Sequence, residues 1–188
     1  MSNLVWILDA YRHFARRHPI RFIAINIVLV ILWVGVIMRF SGENADISGP
    51  RSAKVLVGIV NAVAPSANVT LENYEEVAAL HNSERVIRKL AHMIEYGFLT
   101  VLVFAVFFGF RDMPRKYSYI LPVLFVMGLG MIDEKNQTTV SGRYGSWFDV
   151  CVDTAAAIIV VILIRLLTIR YRRRKIRENK NLSVRNAS

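Results

Sequence analysis

Four long apolar segments, separated by shorter polar ones, constrain the fold of this chain more than any other feature. An α-helix rises about 1.5 Å per residue and a membrane's hydrocarbon core is about 30 Å thick, so such segments predict membrane-spanning helices. The hydrophobic fraction of 54% and the mean hydropathy of +0.39 point the same way. We therefore predict an all-α polytopic membrane protein, with one membrane domain over residues 22–167. Its four transmembrane helices are predicted at residues 22–39, 86–110, 117–132 and 147–167.

The first and third segments are the least regular of the four. The first is too long for a typical cleaved signal peptide and lacks a small-x-small cleavage site after it, so we predict a retained helix. The third has only 16 residues and would reach about 24 Å. That shortfall predicts that Asp133 and Glu134 lie in a water-accessible dip below the membrane surface.

Positive charge is concentrated outside the apolar segments and gives the chain a formal net charge of +10. Four spans put residues 1–21, the loop 111–116 and the basic tail 168–188 on one side, together with Arg165 at the end of the fourth span. This side has 16 Lys and Arg against 3 Asp and Glu. The other side carries 8 against 11. The positive-inside rule therefore predicts that both termini are cytoplasmic. Retention of these ends in the cytoplasm accounts for the charge, so we predict no nucleic-acid partner. The end of the tail is expected to be disordered.

The first loop on the opposite side, residues 41–83, has apolar residues at helical spacing in two places. Val55, Leu56, Ile59 and Val63 predict one amphipathic helix, and the interval 71–80 predicts a second. Such helices either cap the bundle or lie on the membrane surface, and we favour capping.

The second predicted span begins with a polar stripe that continues two to three turns into the apolar segment. At 100° per residue its members fall within an arc of about 120°. Ionisable groups at that depth need a partner or a water-filled cavity. A structural polar seam between helices is the alternative to a functional site. The stripe consists of Arg85, Arg88, Lys89, His92, Glu95 and Tyr96.

A second polar cluster surrounds the connection between the third and fourth spans. Asp149 and Asp153 are one turn apart and share a helix face, and glycines flank Arg143 in a flexible loop. We expect the two clusters to form one site on the extracytoplasmic side, in which Lys89 or His92 contacts Asp133, Glu134 or Asp149. The cluster consists of Asp133, Glu134, Gln137, Arg143, Asp149 and Asp153.

These residues resemble the signature of the VanZ-like family, small bacterial membrane proteins named after an accessory protein of glycopeptide (teicoplanin) resistance. The resemblance rests on Lys89-Leu-Ala-His-Met-Ile-Glu-Tyr96, Asp133-Glu-x-x-Gln137 and Gly142-Arg followed by Asp149. Asp153 stands where the family more often has Asn, which adds a carboxylate. The resemblance implies an outward-facing role at the bacterial plasma membrane and an effect on glycopeptide susceptibility.

Two functions are compatible with the site. In the first, Arg85, Arg88, Lys89 and Arg143 bind an anionic lipid, a polyprenyl phosphate or a cell-wall precursor, and the carboxylates orient these bases. In the second, the protein is an acid/base enzyme on such a substrate, with His92 as base beside Glu95, Asp133 and Glu134. One histidine among competing cations makes a metal site improbable, so we predict no metal or cofactor. The sequence leaves the oligomeric state open.

Overall fold

The structure, a computed structural model, describes residues 2–43, 45–63, 69–70, 83–140 and 145–185. Within these ranges it is all-helical and contains no strand. The helices are α1 (Ser2–Arg17), α2 (Pro19–Ser41), α3 (Ala45–Val63), α4 (Ser83–Gly109), α5 (Arg115–Gln137) and α6 (Trp147–Arg185).

Four of these helices are long and apolar enough to cross a membrane, as the sequence predicted: α2, α4 from Val86, α5, and α6 as far as Glu178. α4 packs against α2, α5 and α6, and the fully buried Ile37, Leu99, Val126 and Ala157 form the core that these four helices share. The outer surface is apolar as well. Ile31 and Leu32 of α2 are 64% and 62% exposed, which suits contact with lipid chains rather than water.

Polar groups within α2 find partners inside the bundle. The amide of the buried Asn26 donates to the carbonyl oxygen of Phe22 at 2.8 Å, so it lowers the cost of a polar residue in this apolar helix. The indole of Trp33 donates to the backbone oxygen of Glu95 at 2.9 Å. This bond ties α2 to α4 two-thirds of the way along α2.

α5 is longer than the sequence predicted. The prediction ended the third span at Ile132, whereas α5 has 23 residues and continues to Gln137, long enough for about 35 Å. The short third helix from which the dip was inferred is therefore wrong, and the dip itself stays a prediction. The helix continues because Asp133, Glu134 and Gln137 turn towards the other helices, where all three are buried, instead of ending the helix in water.

α6 also extends beyond its predicted end at residue 167, as one helix of 39 residues. The disorder expected near the end of the basic tail is not found up to Arg185. Lys, Arg and Glu favour helices, and Arg174 pairs with Glu178 at 2.8 Å one turn on. α1 is held against this helix: Asp9 accepts hydrogen bonds from the Tyr171 hydroxyl and, at 3.0 Å, from Lys175.

α3 contains the residues of the first predicted loop helix. Asn61 exchanges two hydrogen bonds with the backbone of Val69, at 2.8 and 3.0 Å. Val69 and Leu56 are buried together, with Ile87 of α4 packed against them. The second predicted helix, at 71–80, lies outside the described residues.

Candidate functional site

Polar residues from four helices meet at one end of the bundle, where α2 and α5 end and α4 and α6 begin. Each helix contributes its terminal turns, so residues far apart in sequence become neighbours. We call this group the carboxyl site. Its members with described side chains are Ser41, Lys89, His92, Glu95, Tyr96, Asp133, Glu134, Gln137, Asp149 and Asp153.

An ion pair between α4 and α6 lies at the opening of the carboxyl site. The Lys89 ammonium is 2.5 Å from an oxygen of Asp149, and the two side chains are 40% and 34% exposed. The same ammonium lies 4.4 Å from the centre of the Phe148 ring, which adds a cation–π contact. The contact expected between Lys89 and a carboxylate of the second polar cluster is therefore confirmed.

Asp133 lies deeper and is only 1% exposed. Its Oδ2 accepts hydrogen bonds from the Tyr96 hydroxyl at 3.1 Å and from the Gln137 amide at 3.2 Å. The same amide nitrogen donates to the Ser41 hydroxyl at 2.9 Å. These bonds join α2, α4 and α5 around one carboxylate.

The other oxygen of Asp133 has no such partner. Oδ1 is buried and accepts no hydrogen bond from any residue that the structure describes. An unsatisfied buried acceptor costs about 1–3 kcal/mol. A protein that keeps one at a polar site has an acceptor available for a ligand, a water molecule or a proton.

Asp153 brings a further carboxyl group to the same region and is 3% exposed. A Cβ atom at Gly130 would lie 3.8 Å from its Oδ2, an ordinary van der Waals distance, so this carboxyl packs directly against α5. Asp153 interacts electrostatically with the other carboxyl groups of the site. Carboxylates so placed would repel one another, and the Lys89 ammonium, which pairs with Asp149, offsets part of that repulsion. The carboxyl groups that interact with Asp153 are those of Glu95, Asp133, Glu134 and Asp149.

The chain between α5 and α6 closes against the end of α5. Glu134 accepts a hydrogen bond from the backbone N–H of Ser146 at 2.6 Å. A Cβ atom at the preceding Gly145 would lie 2.6 Å from the backbone oxygen of Glu134 and 2.7 Å from a methyl carbon of Thr138. The sequence suggested that glycine gives this loop flexibility; at Gly145 the structure shows that glycine is needed for close approach.

His92 and Glu95 occupy the part of α4 between the ion pair and Tyr96. The His92 ring is stacked over Tyr96, with ring centres 6.3 Å apart and planes inclined by 20°. Glu95 is partly buried, and its backbone oxygen receives the Trp33 indole. The predicted pairing of His92 with Glu95 as base and orienting group therefore remains a prediction.

The structure does not describe the side chains of two predicted arginines, and sequence reasoning missed three residues near the site. Arg143 and the side chain of Arg85 lie outside the described residues, while Arg88 is partly exposed. Sequence reasoning missed Ser41, Ser146 and Phe148. Ser41 ends an apolar segment with nothing to distinguish it from an ordinary helix terminus, whereas the adjacent aromatic residues Trp147 and Phe148 at the start of the fourth span were a usable signal. Within the described ranges, no three His, Cys, Asp or Glu residues form a group that could hold a metal ion.

Together, the helices and the carboxyl site define a polytopic membrane protein with an ionisable cluster at one end of its bundle. Residues 26–168, most of the chain, match the model of the VanZ/LLP1 family. The chain belongs to this family, which confirms the resemblance found in the sequence. Comparison with curated proteins and with solved structures gave no match.

Proposed function

We propose that this chain is a bacterial plasma-membrane protein that binds or remodels an anionic envelope component at its carboxyl site. Both termini would be cytoplasmic and the site would face outwards. The excess of Lys and Arg around the termini supports this orientation. The ligand would be a polyprenyl phosphate, an anionic lipid or a cell-wall precursor, and its binding would alter glycopeptide susceptibility.

The observation that carries this proposal is the half-exposed ion pair of Lys89 and Asp149. A ligand phosphate or carboxylate reaches the ammonium from outside and competes with Asp149 for it. Arg88 adjoins Lys89, and Trp147 and Phe148 are 75% and 64% exposed beside the opening. Aromatic and cationic side chains together are typical of the membrane interface, where a lipid phosphate lies. Arg85 and Arg143 are further candidates for the same anion.

Binding is tested on the full chain in nanodiscs, with undecaprenyl phosphate as the probe. Lys89→Met is expected to weaken binding about tenfold or more, a loss of about 1.4 kcal/mol, because the paired cation is removed. Asp149→Asn should bind equally or more tightly, since it removes the competitor. The matched control is Lys116→Met, at an exposed position at the other end of the bundle. Equal affinity for wild type and Lys89→Met rules the proposal out.

Orientation and susceptibility are tested in cells. After the single cysteine, Cys151, is replaced by serine, a cysteine at Thr139 should react with an impermeant maleimide on intact cells, and one at Arg173 should not. The reverse pattern contradicts the outward-facing site. Teicoplanin susceptibility should differ between cells with the wild-type chain and cells with Lys89→Met at equal membrane levels. If every site variant fails to accumulate, the cluster is a structural seam instead.

A second candidate function, an acid/base enzyme, is favoured by the free oxygen of Asp133. A buried carboxylate with one open acceptor is suited to exchanging a proton with a bound substrate. Glu134 and Glu95 belong to the same cluster of carboxyl groups, and the His92 ring lies over the Tyr96 ring. The purified chain would then convert a phosphate- or carboxylate-bearing lipid, and His92→Asn and Asp133→Asn would retain binding but lose turnover. Absence of turnover in wild type under conditions of saturating binding speaks against this function.

A further inference from the structure

A cavity lies at the end of the bundle opposite the carboxyl site, where α4 ends and α5 begins. Its volume is about 180 Å³, smaller than the roughly 300–1,000 Å³ of pockets that enclose whole small ligands. It therefore suits part of a longer molecule. Four helices line it: α1, α4, α5 and α6.

Three arginines give this cavity a cationic rim. The Arg115 guanidinium donates to the backbone oxygen of Phe108 at 3.2 Å and lies 4.7 Å from the centre of that residue's ring. Arg12 lies 5.0 Å from the centre of the Tyr171 ring, and Arg172 is exposed. A guanidinium has five N–H donors, so an arginine held in this way retains donors for an anion.

The Asp9 carboxylate, which lies beside this rim, already has hydrogen-bond donors. Asp9 accepts hydrogen bonds from Tyr171 and Lys175. Lys175 adds a fourth cation close to the rim, so the rim has a net positive charge. The hydroxyls of Ser118 and Thr168 donate to backbone oxygens, at 3.4 and 2.8 Å. Arginine is thus the chief source of available polar contacts here, and it favours phosphate over a neutral polar group.

The wall of the cavity has an apolar part that reaches the outer surface of the bundle. Phe104, Ile164 and Leu167 line it, and Leu167 of α6 is 52% exposed. Arginines beside an apolar wall that is partly exposed match a phospholipid, whose phosphate and acyl chain are covalently joined. A free phosphate would leave the apolar wall without a partner.

We propose that this cavity binds an anionic glycerophospholipid, with its phosphate at Arg12, Arg115 and Arg172 and an acyl chain along Phe104, Ile164 and Leu167. Basic pockets between membrane helices bind anionic headgroups in this way. The lipid bridges α1 to α4, α5 and α6 and fastens the N-terminal helix to the bundle. This site is separate from the carboxyl site and does not depend on the function proposed for it.

The test is lipid retention by the purified full chain, measured by native mass spectrometry after exposure to equal amounts of phosphatidylglycerol and phosphatidylcholine. Wild type is expected to retain at least about five times more phosphatidylglycerol, equivalent to about 1 kcal/mol. The double variant Arg12→Gln/Arg172→Gln should lose this preference. Arg173→Gln, an exposed arginine that does not line the cavity, should keep it.

Thermal stability gives a second measurement that does not depend on lipid surviving ionisation. Phosphatidylglycerol should raise the unfolding midpoint of wild type and Arg173→Gln but not of the double variant. Glycerol 3-phosphate, which lacks acyl chains, should have no such effect. The inference is overturned by equal retention of the two lipids, by equal losses in the double variant and Arg173→Gln, or by full protection with glycerol 3-phosphate.

Discussion

The Tyr96 hydroxyl binds one oxygen of the buried Asp133 carboxylate and leaves the other oxygen without a hydrogen bond from the described residues. Gln137 binds the same oxygen as Tyr96. Two donors therefore fix the carboxylate from one side and orient its free oxygen. If the carboxyl site served stability alone, a donor facing that oxygen would improve it.

Asp133→Asn separates stability from function. With its amide oxygen at the position of Oδ2, asparagine keeps both hydrogen bonds and replaces an unsatisfied acceptor by a neutral donor. We expect unfolding free energy within about 1 kcal/mol of wild type, or higher, together with loss of ligand binding or turnover. Reversible unfolding in mixed micelles measures the first quantity. A severe loss of stability contradicts this description of the free oxygen.

Tyr96→Phe is the complementary change at the same carboxylate. It removes one donor while the ring and its stacking with His92 remain, so Asp133 retains only the Gln137 hydrogen bond at that oxygen. We expect a loss of about 1–3 kcal/mol in unfolding free energy, measured in the same micelles. In the Asp133→Asn background the loss should shrink, because an amide oxygen needs the hydroxyl less than a carboxylate does. If Tyr96→Phe costs the same unfolding free energy in the wild-type and Asp133→Asn backgrounds, Tyr96 and Asp133 are not directly coupled.

The Lys89–Asp149 pair should show a measurable but modest coupling. Both side chains are about one-third exposed or more, so water screens their attraction. We expect a coupling energy of about 0.5–1 kcal/mol from a double-mutant cycle with Lys89→Met and Asp149→Asn. Added salt should reduce it. A zero coupling energy at low salt means that the two groups do not pair in the folded protein.

Gly145→Ala is expected to destabilise the connection between α5 and α6. The new methyl group would meet the backbone oxygen of Glu134 at 2.6 Å, so the loop must shift and the Ser146–Glu134 hydrogen bond must lengthen. We expect a loss of about 1–3 kcal/mol. Gly128→Ala is the control, because among the described residues no neighbouring side chain or helix lies within 4 Å of its added Cβ. It should be neutral or slightly stabilising, and similar effects of the two variants argue against this steric role.

The contact between α1 and α6 should depend on acid pH. Hydrogen bonds from Tyr171 and then Lys175 hold the pKa of Asp9 below its ordinary value of 3.8. A lowered pKa gives stability that is fully present above 3.8 and is lost as the pH falls through the lower pKa of the folded state. The unfolding midpoint of wild type should therefore exceed that of Asp9→Asn by a constant amount between about pH 8 and pH 5.

That difference should disappear only in stronger acid. Tyr171→Phe removes the first of the two donors and should lower the midpoint with the same pH dependence. Its effect should not add to that of Asp9→Asn. A difference between wild type and Asp9→Asn that grows towards acid pH contradicts the predicted sign.

Sequence periodicity was sufficient to predict that Lys89 and Tyr96 of α4 face neighbouring helices. Lys89 and Tyr96 lie on a stripe that a regular helix of known period must turn towards its neighbours, and both make inter-helix contacts. The end of α5 was harder to predict, because polar residues usually indicate where a span ends. Only the tertiary partners of Asp133 and Gln137 make their burial favourable, and a single sequence does not reveal them.

The two glycines of α5 have different surroundings for a similar reason. A Cβ atom at Gly130 would make ordinary van der Waals contact with Asp153 and Val150 of α6, at 3.8 Å, whereas at Gly128 no neighbouring element that the structure describes would lie within 4 Å. Spacing alone cannot separate the two, because the register of α5 against α6 is fixed by contacts along the whole interface. The contact of Ser41 with Gln137 depends in the same way on the register of α2 against α5.

α6 mechanically joins the two ends of the molecule. Asp153 and Tyr171 are 18 residues apart, about five full helical turns and about 27 Å. The two side chains therefore lie on the same face of the helix. Both face the bundle, where Asp153 is 3% exposed and Tyr171 is 9% exposed. Because an unbroken helix resists torsion, any rotation of α6 that moves the Asp153 carboxyl away from Gly130 must swing the Tyr171 hydroxyl away from Asp9. α6 would therefore transmit a rotation about its own axis between the carboxyl site and α1.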